Sequence, residues 1–269
     1  MGIDLDQGRL HQGFMGHHGQ MHAQPGVGIC PASDRAQQRY LPATSFRSRR
    51  SALSGAQRQT WDGLWPELGL SVGTPSGAGL RRGEPLDLGG WFGRQAPVVL
   101  EIGCGSGTST LAMAKEEPDI DVIAVEIYRR GLAQLLSAID REQVGNIRLI
   151  RGNAVDVLEH LIAPRSLTGV RVFFPDPWPK ARHHKRRFLQ PTTIGLIADR
   201  LLPGGVLHAA TDHPGYAEQI AEVGMGEPRL CRVDPGSRLP ISIVRPTTKY
   251  ETKAHEAGSA VTEFIWKRR

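Results

Sequence analysis

Two short stretches of this chain gather groups able to do chemistry. The first, FFPDPWPKARHHKRR at residues 173–187, sets Asp176 between Pro175 and Pro177 and follows it with Trp178 and five permanent cations, Lys180, Arg182, Lys185, Arg186 and Arg187. The flanking prolines restrict the backbone around Asp176, which suits a carboxylate that catalysis needs in one place. A charge run is ordinarily a solvated face. Attached to an acid-bearing loop, this one is expected to grip phosphates and hold a polynucleotide in register. His183 and His184 are adjacent and cannot easily share a metal, so they are expected to be neutral or close to phosphate. Trp178 is open to two readings, stacking on a base or burial.

The second stretch is EIGCGSG, residues 101–107. Gly103, Gly105 and Gly107 follow an apolar run, where missing side chains let backbone approach a ligand and the next helix point its N-terminus at it. The dinucleotide fingerprint G-x-G-x-x-G wants its third glycine at 108, but Thr108 stands there. Glu101 precedes the turn, and a carboxylate there would repel a pyrophosphate and attract a sulfonium or an amino group. S-adenosyl-L-methionine has both cations and no phosphate. Glu126 is placed to accept from two ribose hydroxyls, and Asn153 either meets an adenine ring or caps the helix after it. Together, at three successive strand ends, these residues point to a methyltransferase.

The elements that position them read as alternating strands and helices. PVVLEI, DVIAVEI, IRLIRGNA, GVRVFFPD and GGVLHAATD are buried-type strands, separated by helical patterns at TSTLAMAKEE, YRRGLAQLLSAIDREQV, VDVLEHLIA and FLQPTTIGLIADRLL, with a further helix at AEQIAEVG. That order predicts an α/β, Rossmann-like class I methyltransferase fold: a mostly parallel twisted sheet, helices on both faces and antiparallel C-terminal strand pairing. Late β-type segments near 241–245 and 260–267 are expected to supply that pairing. Upstream, 45–68 reads as a basic arm and a short helix with Ser54 as N-cap and Trp61 and Trp65 as core anchors; 69–96 reads as loop. Residues 1–43 read as a disordered extension, 44–96 as arm, helix and loop, and 97–269 as the methyltransferase domain.

The composition narrows the class. Across 269 residues, 33 Lys and Arg against 27 Asp and Glu give a net charge of +6, which favours a polyanionic partner without requiring one. Cys30, Cys104 and Cys231 are far apart and form neither a disulfide framework nor a cysteine metal site. No metal is expected, and the cluster His11, His17, His18 and His22 reads as a solvated tail. No run of about 18 apolar residues and no secretory h-region is present, so no membrane partner and a cytoplasmic location are expected. Monomer and homodimer are both open.

In the order EIGCGSG, VEIYRRG, RGNA, FFPDPWPKARHHKRR, AATDH and TTKYETKAHEAG, residues 45–269 resemble the bacterial tRNA (guanine-N7-)-methyltransferase family. The PDPWPK…HxKRR element is the specific part; the glycine turn is shared widely. The resemblance implies methyl transfer from S-adenosylmethionine to guanine N7 at position 46 of the tRNA variable loop. It implies a cofactor site of Glu101, Glu126, Asn153 and Asp176, with Asp176 also catalytic and RNA contact at Arg182–Arg187. Lys180, Asp212 and the run Thr248, Lys249, Tyr250 and Glu251 are the implied substrate contacts. Some members of the family carry Asp where this chain has Asn153. Three other readings stay open: methylation of an exocyclic amine, a catalytically inert RNA-binding protein on the same fold, and a small-molecule methyltransferase.

Overall fold

The computed structural model describes residues 52–72, 84–234, 236–246 and 260–269. The leader with its histidines, the arm before residue 52 and the run Thr248–Glu251 lie outside them. Helix α1 (Gly55–Leu68) starts as its sequence dictates, with Ser54 and Gln57 forming a reciprocal capping box. It packs against α4 (Arg129–Glu142), and Trp61 is buried and stacked on Trp65 with ring centres 3.9 Å apart.

The 69–96 stretch, expected to be loop, instead contributes strand β1 (Gly69–Ser71) and a one-turn helix α2 (Leu88–Phe92). Strands β2 (Val98–Ile102), β3 (Asp121–Glu126), β4 (Ile147–Arg151), β5 (Leu167–Phe173) and β6 (Leu201–Thr211) follow, alternating with α3 (Thr108–Glu116), α4, α5 (Ala154–His160) and α6 (Pro191–Arg200). After α7 (Pro214–Gly226) come β7 (Leu230–Arg232) and β8 (Thr262–Arg268). The eight strands lie in the order β1-β4-β3-β2-β5-β6-β8-β7, parallel from β1 to β6 and antiparallel at β8 and β7. Every residue of β2 and all but the last of β3 are buried, the pattern of strands covered on both faces.

Two boundaries differ from expectation. Helix α6 stops at Arg200, because Leu201 already pairs with Leu167 as the start of β6. The stretch 241–245 joins no strand ladder; β7 takes the outer place beside β8. Ile241 packs over Val99 and Gly169, and the Ser242 N–H donates to Glu117 Oε1 at 2.6 Å rather than to a neighbouring strand.

The strand order reverses between β2 and β5. Chain leaving β2 runs out through β3 and β4, whereas β5 leads to β6 on the other side. Open parallel sheets bind ligands in the crevice at the carboxyl ends of such a pair. The glycine turn leaves one of these two strands and the Asp176 loop leaves the other.

Candidate active site

The glycine turn is a bare cradle. Gly103 and Gly105 have φ of 77° and 57°, and a Cβ at either would meet nothing within 4 Å. Both are exposed, so the side a substituent would fill opens outward. Gly107 serves packing instead. It is buried at the N-cap of α3, and a Cβ there would come within 2.5 Å of Leu135 on α4. It allows close helix packing and does not face a ligand. No Lys or Arg stands between Gly103 and Thr108 to meet a pyrophosphate.

Glu126 ends β3 and ties that strand to the cradle. Its Oε2 accepts from the Gly105 N–H at 3.0 Å, and its Oε1 accepts from Ile127 N–H at 2.6 Å and Tyr128 N–H at 3.0 Å. A carboxylate has about four acceptor sites, so one remains for a ligand hydroxyl without breaking these bonds. Asn153 caps α5, accepting from Val155 N–H at 2.9 Å through Oδ1. Its amide nitrogen has no partner among the described residues. The cap reading therefore holds, and it leaves a donor to face a ring acceptor.

Glu101 lies one layer beneath. It is 3% exposed, in register with Arg171 of β5 and near the Thr110 hydroxyl, to which it makes no hydrogen bond of full geometry. Burial pushes its carboxyl up, partly offset by the Arg171 charge and then by Thr110. Glu101, expected beside a ligand's cation, is thus buried near the end of β2, with Oε2 making no hydrogen bond among the described residues. Cys104, between the glycines, has its thiol pushed well up by burial, then by the Glu101 and Glu126 carboxylates, and is no nucleophile.

The second loop leaves β5 through a kink. Phe174 has φ 50°, its N–H donates to Ala210 O at 2.8 Å, and Trp178 has φ 40°. Asp176 between them is exposed, and among the described residues nothing donates to its carboxylate. Asp212 is exposed at the end of β6, the next strand along the same edge.

The cationic run forms a 3₁₀ turn over Ala181–Arg186. Lys180, Arg182 and Lys185 are exposed, and neither they nor Arg186 forms an ion pair with a carboxylate among the described residues. The Arg186 guanidinium lies 5.0 Å from the Trp178 ring centre, and His183 meets the same ring edge-on at 5.8 Å. Trp178 is thus half-buried, with the Arg186 cation over its ring. Desolvation, then the charges of Arg186, Arg182, Lys180 and Lys185, hold the His183 imidazole below its ordinary value, in its neutral form. His184, beside it, is half-buried, and its carbonyl accepts from Gln190 Nε2 at 2.8 Å.

Arg187 departs from the expectation of RNA contact. It is 3% exposed and donates to Pro177 O at 2.8 Å, Gly215 O at 2.9 Å and Gln219 Oε1 at 2.7 Å, with its guanidinium 4.8 Å from the Tyr216 ring centre. It fastens the Asp176 loop to α7. Tyr216, which the sequence did not single out, completes the fastening: its hydroxyl accepts from Leu189 N–H at 2.9 Å. Its phenol is pushed up to about 12, chiefly by burial. The one hint in the sequence was position, since Arg187 is the last cation before the apolar pair Phe188–Leu189.

Cradle, strand-end acid and capping amide fit S-adenosylmethionine: among the described residues nothing fills the outward sides of Gly103 and Gly105, and the turn itself carries no Lys or Arg for a phosphate. With the doubly wound sheet, they define a class I S-adenosylmethionine-dependent methyltransferase. Residues 95–264 match a family described as "Putative methyltransferase". The chain is 76% identical over 260 residues to the tRNA (guanine-N(7)-)-methyltransferase of Mycobacterium avium (strain 104), covering 95% of this chain and all of that one. It is 73% identical over 231 residues to the enzyme of that name from Mycobacterium leprae (strain Br4923), covering 86% and 99% of the two chains. With the one from Mycobacterium tuberculosis (strain ATCC 25177 / H37Ra) it shares 69% over 259 residues, covering 94% and 96%. This chain belongs to the bacterial tRNA (guanine-N7-)-methyltransferase family. Among the described residues there is no cluster of three side chains able to hold a metal, and no helix long and apolar enough to cross a membrane.

Proposed function

We propose that this chain transfers a methyl group from S-adenosylmethionine to N7 of a guanine in tRNA, at position 46 of the variable loop, in the cytoplasm. One observation carries the reading: the bare cradle and the loop bearing Asp176 and the cations leave adjacent parallel strands, β2 and β5, on one edge. The cofactor, when bound, supplies an electrophilic methyl group on a sulfonium. Gly103, Gly105, Glu126 and Asn153 are the residues to hold it. Guanine N7 has an in-plane lone pair and no proton, so no residue has to act as a base before transfer. Asp176 and Asp212 are then free to accept from the base's N1 and N2 donors and to counter the positive charge that the ring gains. Near-attack alignment alone can supply about 7–11 kcal/mol of the barrier.

Lys180, Arg182, Lys185 and Arg186 hold the RNA backbone, a role supported by the exposure of the first three and by the lack of ion-pair partners for all four among the described residues. Arg187 acts on the loop and not on RNA. Thr248–Glu251 belong to the substrate side by resemblance alone. Labelled methyl donor and bulk unmodified tRNA test the proposal, with the product nucleoside identified by mass spectrometry. The expected product is 7-methylguanosine, cut by borohydride and aniline at position 46; label on an exocyclic amine overturns the reading.

A further inference from the structure

Arg245 has no part in the site described so far, yet its side chain is 5% exposed and joins two strand ends at the catalytic edge. Its Nε donates to Glu263 Oε1 at 2.9 Å, and its Nη2 lies 2.8 Å from the same oxygen. The other Glu263 oxygen is 2.9 Å from Nε2 of the fully buried His208. His208 meets the Phe173 ring edge-on at 4.9 Å. The Arg245 guanidinium itself stands 5.6 Å from the Phe173 ring centre and 5.0 Å from that of Phe174.

These residues sit at the level where the sheet ends. Glu263 pairs in register with Ala210, and the Ala210 carbonyl accepts the Phe174 N–H. Phe174 is where the chain turns out of the sheet, at a φ of 50° that an aromatic residue rarely adopts, two positions before Asp176. An ion pair with one exposed partner, as Glu263 is here, is weak evidence of a stabilising role. What this pair adds is a flat, fixed plate over the kink. A guanidinium is planar and stacks on aromatic faces, whereas an ammonium does neither.

We propose that Arg245 is a positioning residue for methyl transfer: held by Glu263 against His208, it clamps the Phe173–Phe174 turn and through it sets the placement of Asp176. The inference rests on the role given to Asp176 above. The test compares full-length wild type, Arg245→Lys and Arg245→Met for methyl transfer to bulk unmodified tRNA. Affinity for S-adenosylhomocysteine is measured by calorimetry and folded fraction by circular dichroism. Both variants are expected to lose kcat by about 10–100-fold, the scale of a small misplacement of a reacting group. Product affinity and folded fraction are expected to stay at wild-type values. Lysine, although able to pair with Glu263, is not expected to rescue.

Rescue by lysine, wild-type kcat in Arg245→Met, or a kcat loss that only follows the loss of folded protein would each overturn the proposal. A wild-type protein that transfers no methyl to guanine N7 would overturn the functional reading instead, so the two failures are distinct.

Discussion

Two neighbouring arginines, alike in sequence, are expected to fail in opposite ways. Arg187→Ala removes the donor to two backbone carbonyls, Pro177 O and Gly215 O, and to the Gln219 side chain, and it removes the cation over Tyr216. Each buried acceptor left unpaired costs about 1–3 kcal/mol. Gln219 can turn away and water can enter, so only the carbonyls are counted, at the low end; with about 1 kcal/mol for the lost cation–π contact the total is about 3 kcal/mol. Urea unfolding reads this directly. Arg186, half-exposed and without an ion-pair partner among the described residues, behaves otherwise. Arg186→Ala loses only its contact with Trp178 and is expected to lower stability by no more than about 1 kcal/mol while weakening tRNA binding and lowering the slope of log affinity against log salt by about 0.7–0.9. An Arg187→Ala protein of wild-type stability whose salt slope falls by that amount would refute the division of labour.

Gly105→Ala introduces a side chain at φ 57° that points into the open cradle, so calorimetry is expected to find S-adenosylmethionine affinity down at least about tenfold. Gly107→Ala instead collides with Leu135 and is expected to lower the melting temperature more than it weakens the ligand. Asp176→Ala is expected to abolish single-turnover methyl transfer while the protein still binds tRNA; wild-type turnover would remove Asp176 from the mechanism. Burial alone would raise the Glu263 carboxyl, but its hydrogen bond with His208 and the Arg245 charge outweigh that and hold it below its ordinary value. A carboxyl depressed in the folded state stabilises fully above its unfolded pKa and loses that contribution as pH falls through its folded pKa. The stability gap between wild type and Glu263→Gln is therefore expected to be full at neutral pH and to shrink below about pH 4, as urea melts across pH can check. A gap that widens in acid contradicts this.

Much of the frame was legible because the parallel strands are buried on both faces and therefore read as apolar runs with glycine or polar breaks. Strand β1 was not, because three residues beginning with glycine carry no pattern; only pairing with β4 makes them a strand. The 241–245 stretch misled for the opposite reason. Its alternation of Ile241 and Ile243 with Ser242 looks like a strand, but the apolar side covers Gly169 and Val99 while Ser242 satisfies Glu117 and Arg171. In the site, residue types and strand ends were enough to gather Glu126, Asn153 and Asp176. Burial was the missing variable: Glu101 lies beneath the cradle and Arg187 within the loop's fastening, which a roll of charges cannot distinguish from Glu126 and Arg186. Arg245 and Glu263, 18 positions apart, meet only through the closing of β8 onto β6.

On the proposed mechanism the cofactor cradle and the cationic loop serve one crevice at the switch between β2 and β5. A crystal structure with S-adenosylhomocysteine and tRNA measures this most directly. The expected result is the nucleoside against Gly103, Gly105 and Glu126, the target guanine beside Asp176, and RNA phosphates on the turn containing Arg182, Lys185 and Arg186. RNA bound at the opposite edge of the sheet, or a cofactor away from the glycine turn, would contradict it.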